Sequence, residues 1–376
     1  MTISVTGAVK MREIKQEYEL DSLIPDTDPG DLGDPEKLLT LDIETTGLSR
    51  QTSYLYLIGM GTFSRGRYTV RQWFADLPEE EELILKRALD FSKSFETLLH
   101  YNGERFDLPF LKYKAEKYKT AFFPGKLKST DIYREIKPCK KLLGLNSLSQ
   151  RDIERFLGIE RNDPYTGREL IRVYMDYKKT GSEEYLRPLL LHNLEDVLGI
   201  VKILPILKYA RLKELKLEYV DSRINSYKGF DGFPRREVLL EFRHGLKLPG
   251  GFKSYNEGIF ASFEKELVKV RVPVEELTLK HFYENFRDYY YLPVEDTCIP
   301  KSIGSGVEKQ YRENARKDTC YTKVCSEFVP APANFRGMTL FKREYGSDRE
   351  YVSLEELKEK EALSRYGTAL LKAIIS

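Results

Sequence analysis

The stretch Leu38-Leu39-Thr40-Leu41-Asp42-Ile43-Glu44-Thr45-Thr46-Gly47-Leu48 constrains this chain more than any other. It is an apolar run that abruptly carries two acids and then turns, which reads as a buried strand ending in chemistry. Successive side chains on a strand alternate faces, so Asp42 and Glu44 project to one side, about 7 Å apart. Two like charges there need a counter-charge. Thr45, Thr46 and Gly47 end the strand and leave the acids near its mouth, where a cation can reach them. Alone, the pattern fits equally a strand running into a solvated acidic turn, because D-x-E is short and common.

With 376 residues the chain is long enough for two ordinary domains, each with its own core. A net charge of +2 excludes a globally basic nucleic-acid coat but leaves room for a local basic groove. The first twenty residues contain no sustained apolar segment, and no later run approaches the roughly 18 to 20 residues of a membrane span. A soluble, unsecreted, cytoplasmic protein without membrane partners is expected. Cys139, Cys298, Cys320 and Cys325 are too few for a disulfide framework in such a chain. Cys320 and Cys325 lack the second pair that a zinc site needs.

Residues 1 to 35 hold a string of turn formers and acids around Pro25 to Asp31 and read as an extension that leads into the fold. Beyond the Asp42 strand, Tyr54 to Gly61 and Tyr68 to Phe74 are β-rich, separated by the hairpin signal Ser64-Arg65-Gly66-Arg67. Pro78 and the following glutamates open a helix, with acids where the helix dipole favours them. Phe95 to Tyr101 reads as a fourth strand. It leads into Asn102-Gly103-Glu104-Arg105-Phe106-Asp107-Leu108-Pro109-Phe110-Leu111, in which Asp107 lies beside the packed stripe of a helix. Asp131 reads as a helix cap, and Ser147 with Gln150 as a capping box. The pattern from Arg187 to Leu207 is strongly helical. It places His192 and Asp196 on one face, and Glu195 about 100° away toward solvent.

Taken in order, D-x-E-T-T-G-L on a first strand, Y-N-G-E-R-F-D-L-P-F-L after a fourth and H-N-x-x-D-V on a later helix resemble the DEDD exonuclease superfamily of the ribonuclease H-like fold. The second motif resembles the second exonuclease motif of family-B DNA polymerases, and the whole is most similar to the bacterial predicted-exonuclease group. The resemblance covers roughly residues 36 to 210. It implies that Asp42 and Glu44, Asp107 and Asp196 are the metal-binding acids. One departure stands out. The superfamily carries a tyrosine four residues before the last aspartate or a histidine five before it, and this chain has His192 at the four-residue spacing.

Physical chemistry points the same way. Four converging carboxylates resist burial unless divalent cations compensate them, and all-oxygen ligands suit Mg²⁺ or Mn²⁺. Two such ions can clamp the attacking water and the leaving oxygen of a phosphodiester, with His192 taking the water's proton.

The expected fold class is therefore α/β, a ribonuclease H-like mixed sheet of five strands flanked by helices over residues 36 to 212. An α+β domain follows over residues 213 to 376, with strands near Leu239 to Phe242, Ile259 to Phe263 and Leu267 to Val274. Its role is not legible, although Tyr289, Tyr290 and Tyr291 with interleaved lysines and arginines suit either base stacking or a β-rich core. The expected activity is 3′-to-5′ exonucleolytic cleavage of DNA or RNA, acting on a single-stranded 3′ end with two Mg²⁺ or Mn²⁺ ions. The catalytic residues would be Asp42, Glu44, Asp107, His192 and Asp196. An endonuclease with the same metals, or a non-catalytic nucleic-acid-binding module, are the alternatives.

Overall fold

The computed structural model describes residues 2–5, 11–24, 28–122 and 124–375, which divide into two compact units, Met1–Ala210 and Arg211–Ser376. The first unit contains strands β1 (Thr2–Val5), β2 (Met11–Glu19), β3 (Leu38–Thr45), β4 (Leu55–Ser64), β5 (Arg67–Ala75), β6 (Thr97–His100) and β7 (Lys128–Asp131). Its helices are α1 (Leu20–Leu23), α2 (Glu81–Ser92), α3 (Asp107–Lys117), α4 (Ile132–Ile136), α5 (Gln150–Phe156), α6 (Gly167–Thr180), α7 (Glu183–Lys202) and α8 (Leu207–Ala210).

The strands form one mixed sheet in the order β1-β2-β5-β4-β3-β6-β7. β3, β4 and β5 are an antiparallel meander, and β6 and β7 join β3 in parallel. Parallel strands need crossover connections, here through α2 and α3, and these cover one face of the sheet. Leu39, Leu41, Ile43 and Met60 pack on that face with Ile84, Leu85, Ala88, Phe110 and Leu111. The other face, with Tyr56, Leu57 and Phe74, packs under Leu170, Tyr174, Leu186 and Leu189 of α6 and α7. Burial on both faces explains why β3 reads as a continuous apolar run.

The sheet has seven strands rather than the five expected. The difference lies in residues 1 to 35, where β2 pairs with β5 from Met11↔Ala75 to Glu19↔Arg67 and β1 pairs with β2. This segment contributes sheet and core, since Met11 and Ile14 are buried. Its turn-forming centre concealed the flanking strand. Its charges pair with those of β5 as Arg71–Glu13 and Arg67–Glu17, partly exposed on the surface of the sheet. Residues 25 to 27 of the turn-rich centre lie outside the described residues.

The second unit is β-rich. β8 (Glu218–Lys228), β9 (Pro234–Arg243), β10 (Phe252–Asn256), β11 (Ile259–Glu264) and the long β12 (Leu267–Phe282) form a sheet with β16 (Tyr321–Pro330) and β17 (Tyr351–Ser353). A small second sheet joins β13 (Tyr289–Leu292), β14 (Thr297–Pro300) and β15 (Glu313–Asn314). Helices α9 (Lys301–Gly304) and α10 (Lys360–Ile375) complete it. The tyrosine run lies in β13, where Tyr289 stacks on Tyr283 and Tyr290 is flanked by Lys301 and Arg312. Cys320 is buried beside Cys298 while Cys325 is exposed, so the two zinc-site candidates do not share a site.

Candidate functional site

The parallel pairing of β3 with β6 stops at Thr40. Beyond that point the β6 side of β3 lacks a neighbouring strand, and the Ile43 N–H donates instead to Asp107 Oδ1 at 3.2 Å. Asp107 is the first residue of α3, delivered there by a sharp turn after β6 in which Asn102 has φ 58°. Asp131 holds that turn by accepting the Asn102 N–H at 2.8 Å while also capping α4 through the Tyr133 N–H. Its part is structural, as a cap residue's should be.

On the opposite flank, Gly59 of β4 faces Asp42 in the ladder. A Cβ there would collide with Asn193 Oδ1 and Val197 Cγ2, so the glycine lets α7 lie directly against the sheet. Asn193 then donates to Asp42 Oδ2 at 2.9 Å and accepts from Gln72 Nε2 at 2.9 Å. One turn of α7 presents His192 and Asp196 together, with His192 Nε2 3.3 Å from Asp196 Oδ2 and 3.6 Å from Glu44 Oε1. Glu195, expected in solvent, is buried, accepts from Asn162 Nδ2 and lies 3.8 Å from Lys202 Nζ.

Three elements thus supply the five residues singled out by sequence: β3 gives Asp42 and Glu44, α3 gives Asp107, and α7 gives His192 and Asp196. Glu44, His192 and Asp196 offer ligand atoms that all lie within 4.8 Å of one another. Asp42 and Asp107 adjoin this group. Burial raises the Asp42 carboxyl well above its ordinary range, and the charges of Asp196, Asp107 and Glu44 add to that. Glu44 is raised in the same way, by burial first and then by Asp196, Asp107 and Asp163, with Arg161 opposing. Asp107 is pushed up to about 7, chiefly by burial, against the hydrogen bonds it accepts from backbone. The cluster resists carrying its full charge, which is the condition a divalent cation relieves.

Several members carried no sequence signal. Arg161 donates to Asp196 Oδ1 at 2.8 Å and to Glu154 Oε1 at 3.2 Å. Asp163 Oδ2 and His192 Nδ1 share a hydrogen bond of 2.6 Å. Both sit in the irregular segment between α5 and α6, where no periodicity marks a residue as inward. Gln150, expected in a capping box with Ser147, donates to the Asp196 carbonyl and to Glu154, and Ser149 caps α5 instead. Asn193 was one residue from a recognised position, and only the close approach at Gly59 reveals its use.

Residues 39–207 match the family model of the RNase_H superfamily. No curated protein matches the chain. Among solved structures, the zinc-bound form of an E. coli ExoI-ssDNA complex is 12% identical with a TM-score of 0.28, and the match covers 55% of this chain and 54% of that one. E. coli exonuclease I in complex with a 5cy-dT13 oligonucleotide is 11% identical with a TM-score of 0.31, covering 90% of this chain and 70% of that one. The segment that holds all five residues, 39–207, is an RNase_H superfamily domain.

Proposed function

We propose that this protein is a divalent-metal-dependent nuclease that removes nucleotides from the 3′ end of DNA or RNA. The observation that carries the reading is the convergence of four carboxylates and one imidazole from β3, α3 and α7 inside an RNase_H superfamily domain. The donor set fits Mg²⁺ or Mn²⁺: oxygen ligands predominate, and Arg161 is the cationic side chain paired with Asp196. Asp42, Glu44, Asp107 and Asp196 would hold two ions, whose chemistry when bound is to stabilise charge on the attacking and leaving oxygens of a phosphodiester.

The chain's own residues supply the rest. Asn193 fixes the Asp42 carboxylate through Oδ2, and the Ile43 N–H fixes Asp107. His192, anchored through Nδ1, directs Nε2 at Glu44 and Asp196, where it can accept a proton from water entering the cluster. Arg161 tempers the cluster's charge, so the site can persist before ions or substrate arrive. The 3′-to-5′ direction and a preference for a single-stranded end rest on the resemblance of the three motifs to DEDD exonucleases. No described helix is long and apolar enough to cross a membrane. No disulfide joins any of the four cysteines. We place the protein in the cytoplasm because four cysteines are too few for a disulfide framework in a chain of this length.

The test is a panel of 5′-labelled DNA and RNA oligonucleotides, with free and blocked 3′ ends, incubated with Mg²⁺ or Mn²⁺ and resolved by length. Stepwise shortening that a 3′ block prevents is expected. Internal cutting of blocked strands would make the protein an endonuclease, and binding without turnover in either metal would reduce it to a binding module.

A further inference from the structure

We propose that Asp163 is a positioning residue that holds His192 in one tautomer, with its proton on Nδ1 and the Nε2 lone pair turned to the acidic cluster. The Asp163 side chain has no exposed surface. Its Oδ1 accepts the Tyr165 N–H at 3.0 Å, and its Oδ2 accepts from Arg151 at 2.8 Å with Arg161 at 3.5 Å. Donors on both oxygens need acceptors, so the proton in the 2.6 Å bond to His192 belongs to Nδ1. A neutral imidazole with Nδ1 as donor has its acceptor at Nε2. That nitrogen lies 3.3 Å from Asp196 and 3.6 Å from Glu44. A carboxylate behind a functional imidazole is a recurring means of fixing ring orientation and tautomer.

The same contacts account for the spacing of His192. The ring lies one α-helical turn before Asp196 and is tied to a loop outside α7, so its direction is set by Asp163 rather than by the helix alone. The segment from Leu157 to Thr166 thereby acquires a role. Asp163 and Arg161, two residues apart, contact His192 and Asp196 respectively, and Arg151 of α5 secures Asp163 from behind. The consequence for turnover rests on the nuclease reading above, while the proton on Nδ1 follows from the hydrogen bonds to Asp163.

The experiment uses the full chain with ¹⁵N-labelled histidine and no added metal. The chain has four histidines, and a His192→Gln spectrum identifies the resonances of interest. At a pH where the spectrum shows a single ring proton on His192, that proton is expected on Nδ1 and not on Nε2. A proton on Nε2 overturns the proposal whatever the activity. In Asp163→Leu the Nδ1 proton has no acceptor behind it, and the Nε2-protonated tautomer is expected to gain population. Turnover of an oligonucleotide in Mn²⁺ is then expected to fall about 10²- to 10⁴-fold in kcat with KM largely kept. A folded Asp163→Leu that keeps the wild-type tautomer also overturns the assignment. Should that variant fail to fold, the wild-type spectrum decides. Should the wild type show the expected tautomer but no nuclease activity, the nuclease reading fails and the positioning of His192 stands.

Discussion

Asp42 illustrates how a single carboxyl can oppose the fold and serve the site. Its folded-state proton affinity is raised by burial and by three neighbouring acids, so without metal the ionised form is disfavoured in the native state. Asp42→Asn removes that opposition while retaining an acceptor for Asn193. Cleavage is expected to be abolished, and the metal-free protein to melt a few degrees higher, at about 2–4 °C per kcal/mol for a unit of this size. Calorimetry of the metal-free variant beside an oligonucleotide assay checks both halves, and near-normal cleavage would remove Asp42 from the proposed ligand set. His192→Ala is expected to lose about 10²- to 10⁴-fold in turnover at saturating Mn²⁺. Wild-type turnover in that variant would assign proton acceptance elsewhere. Residues such as Asp42, Asp107 and Asp196 were legible because acids interrupt apolar periodicity. Arg161 and Asp163 were not, since a loop offers no period against which a charged residue looks out of place.

At the scale of elements, the helices covering β3 and β4 are fixed by two devices. One is the buried Glu81–Lys114 pair linking α2 to α3, with N···O at 2.7 Å. Glu81 Oε1 also accepts the Leu55 N–H, and Lys114 donates to the Ser53 carbonyl, so the pair pins the start of β4. Burial works against the Glu81 charge, but the hydrogen bonds from Lys114, Tyr118 and Leu55 prevail and lower its proton affinity. Its contribution is therefore present above the unfolded glutamate value of about 4.3 and lost as pH falls through the lower folded value. Lys114→Met is expected to cost about 3 kcal/mol at pH 7, because Lys117 still reaches Glu81. Urea midpoints of the wild type and Glu81→Gln should draw together progressively as pH falls below the unfolded glutamate value of about 4.3. The second device is Gly59. Gly59→Ala should destabilise by about 1–3 kcal/mol through overpacking against α7, with lost activity as Asn193 leaves Asp42. The glutamate run was readable as a helix start, but nothing local distinguishes the buried Lys114 from its exposed neighbours.

For the whole molecule, the three-strand meander, β6 and, in the second unit, β9, β11 and the first half of β12 were readable from apolar runs and turn residues, whereas β8, β10, β16 and β17 were not. β2 was not, because its alternation is diluted by charges that pair across the ladder with β5. In the second unit Tyr289 and Tyr290 engage their own neighbours, whereas the hairpin joining β8 and β9 leaves Phe230 and Phe233 exposed. If that unit grips single strands, Phe230→Ala with Phe233→Ala should weaken oligonucleotide affinity by about 1–3 kcal/mol per base contact. Turnover at saturating substrate should hold, and unchanged affinity would return the hairpin to some other use. A last consequence follows from the open edge of β3. The Ile43 amide is held by a side chain of the acidic cluster rather than by another strand, so its solvent exchange is governed by what Asp107 is doing. If Asp107 coordinates a cation as proposed, that one proton should exchange at a different rate on metal addition while its neighbours in the β3–β4 ladder do not, making a single backbone position a gauge of site loading.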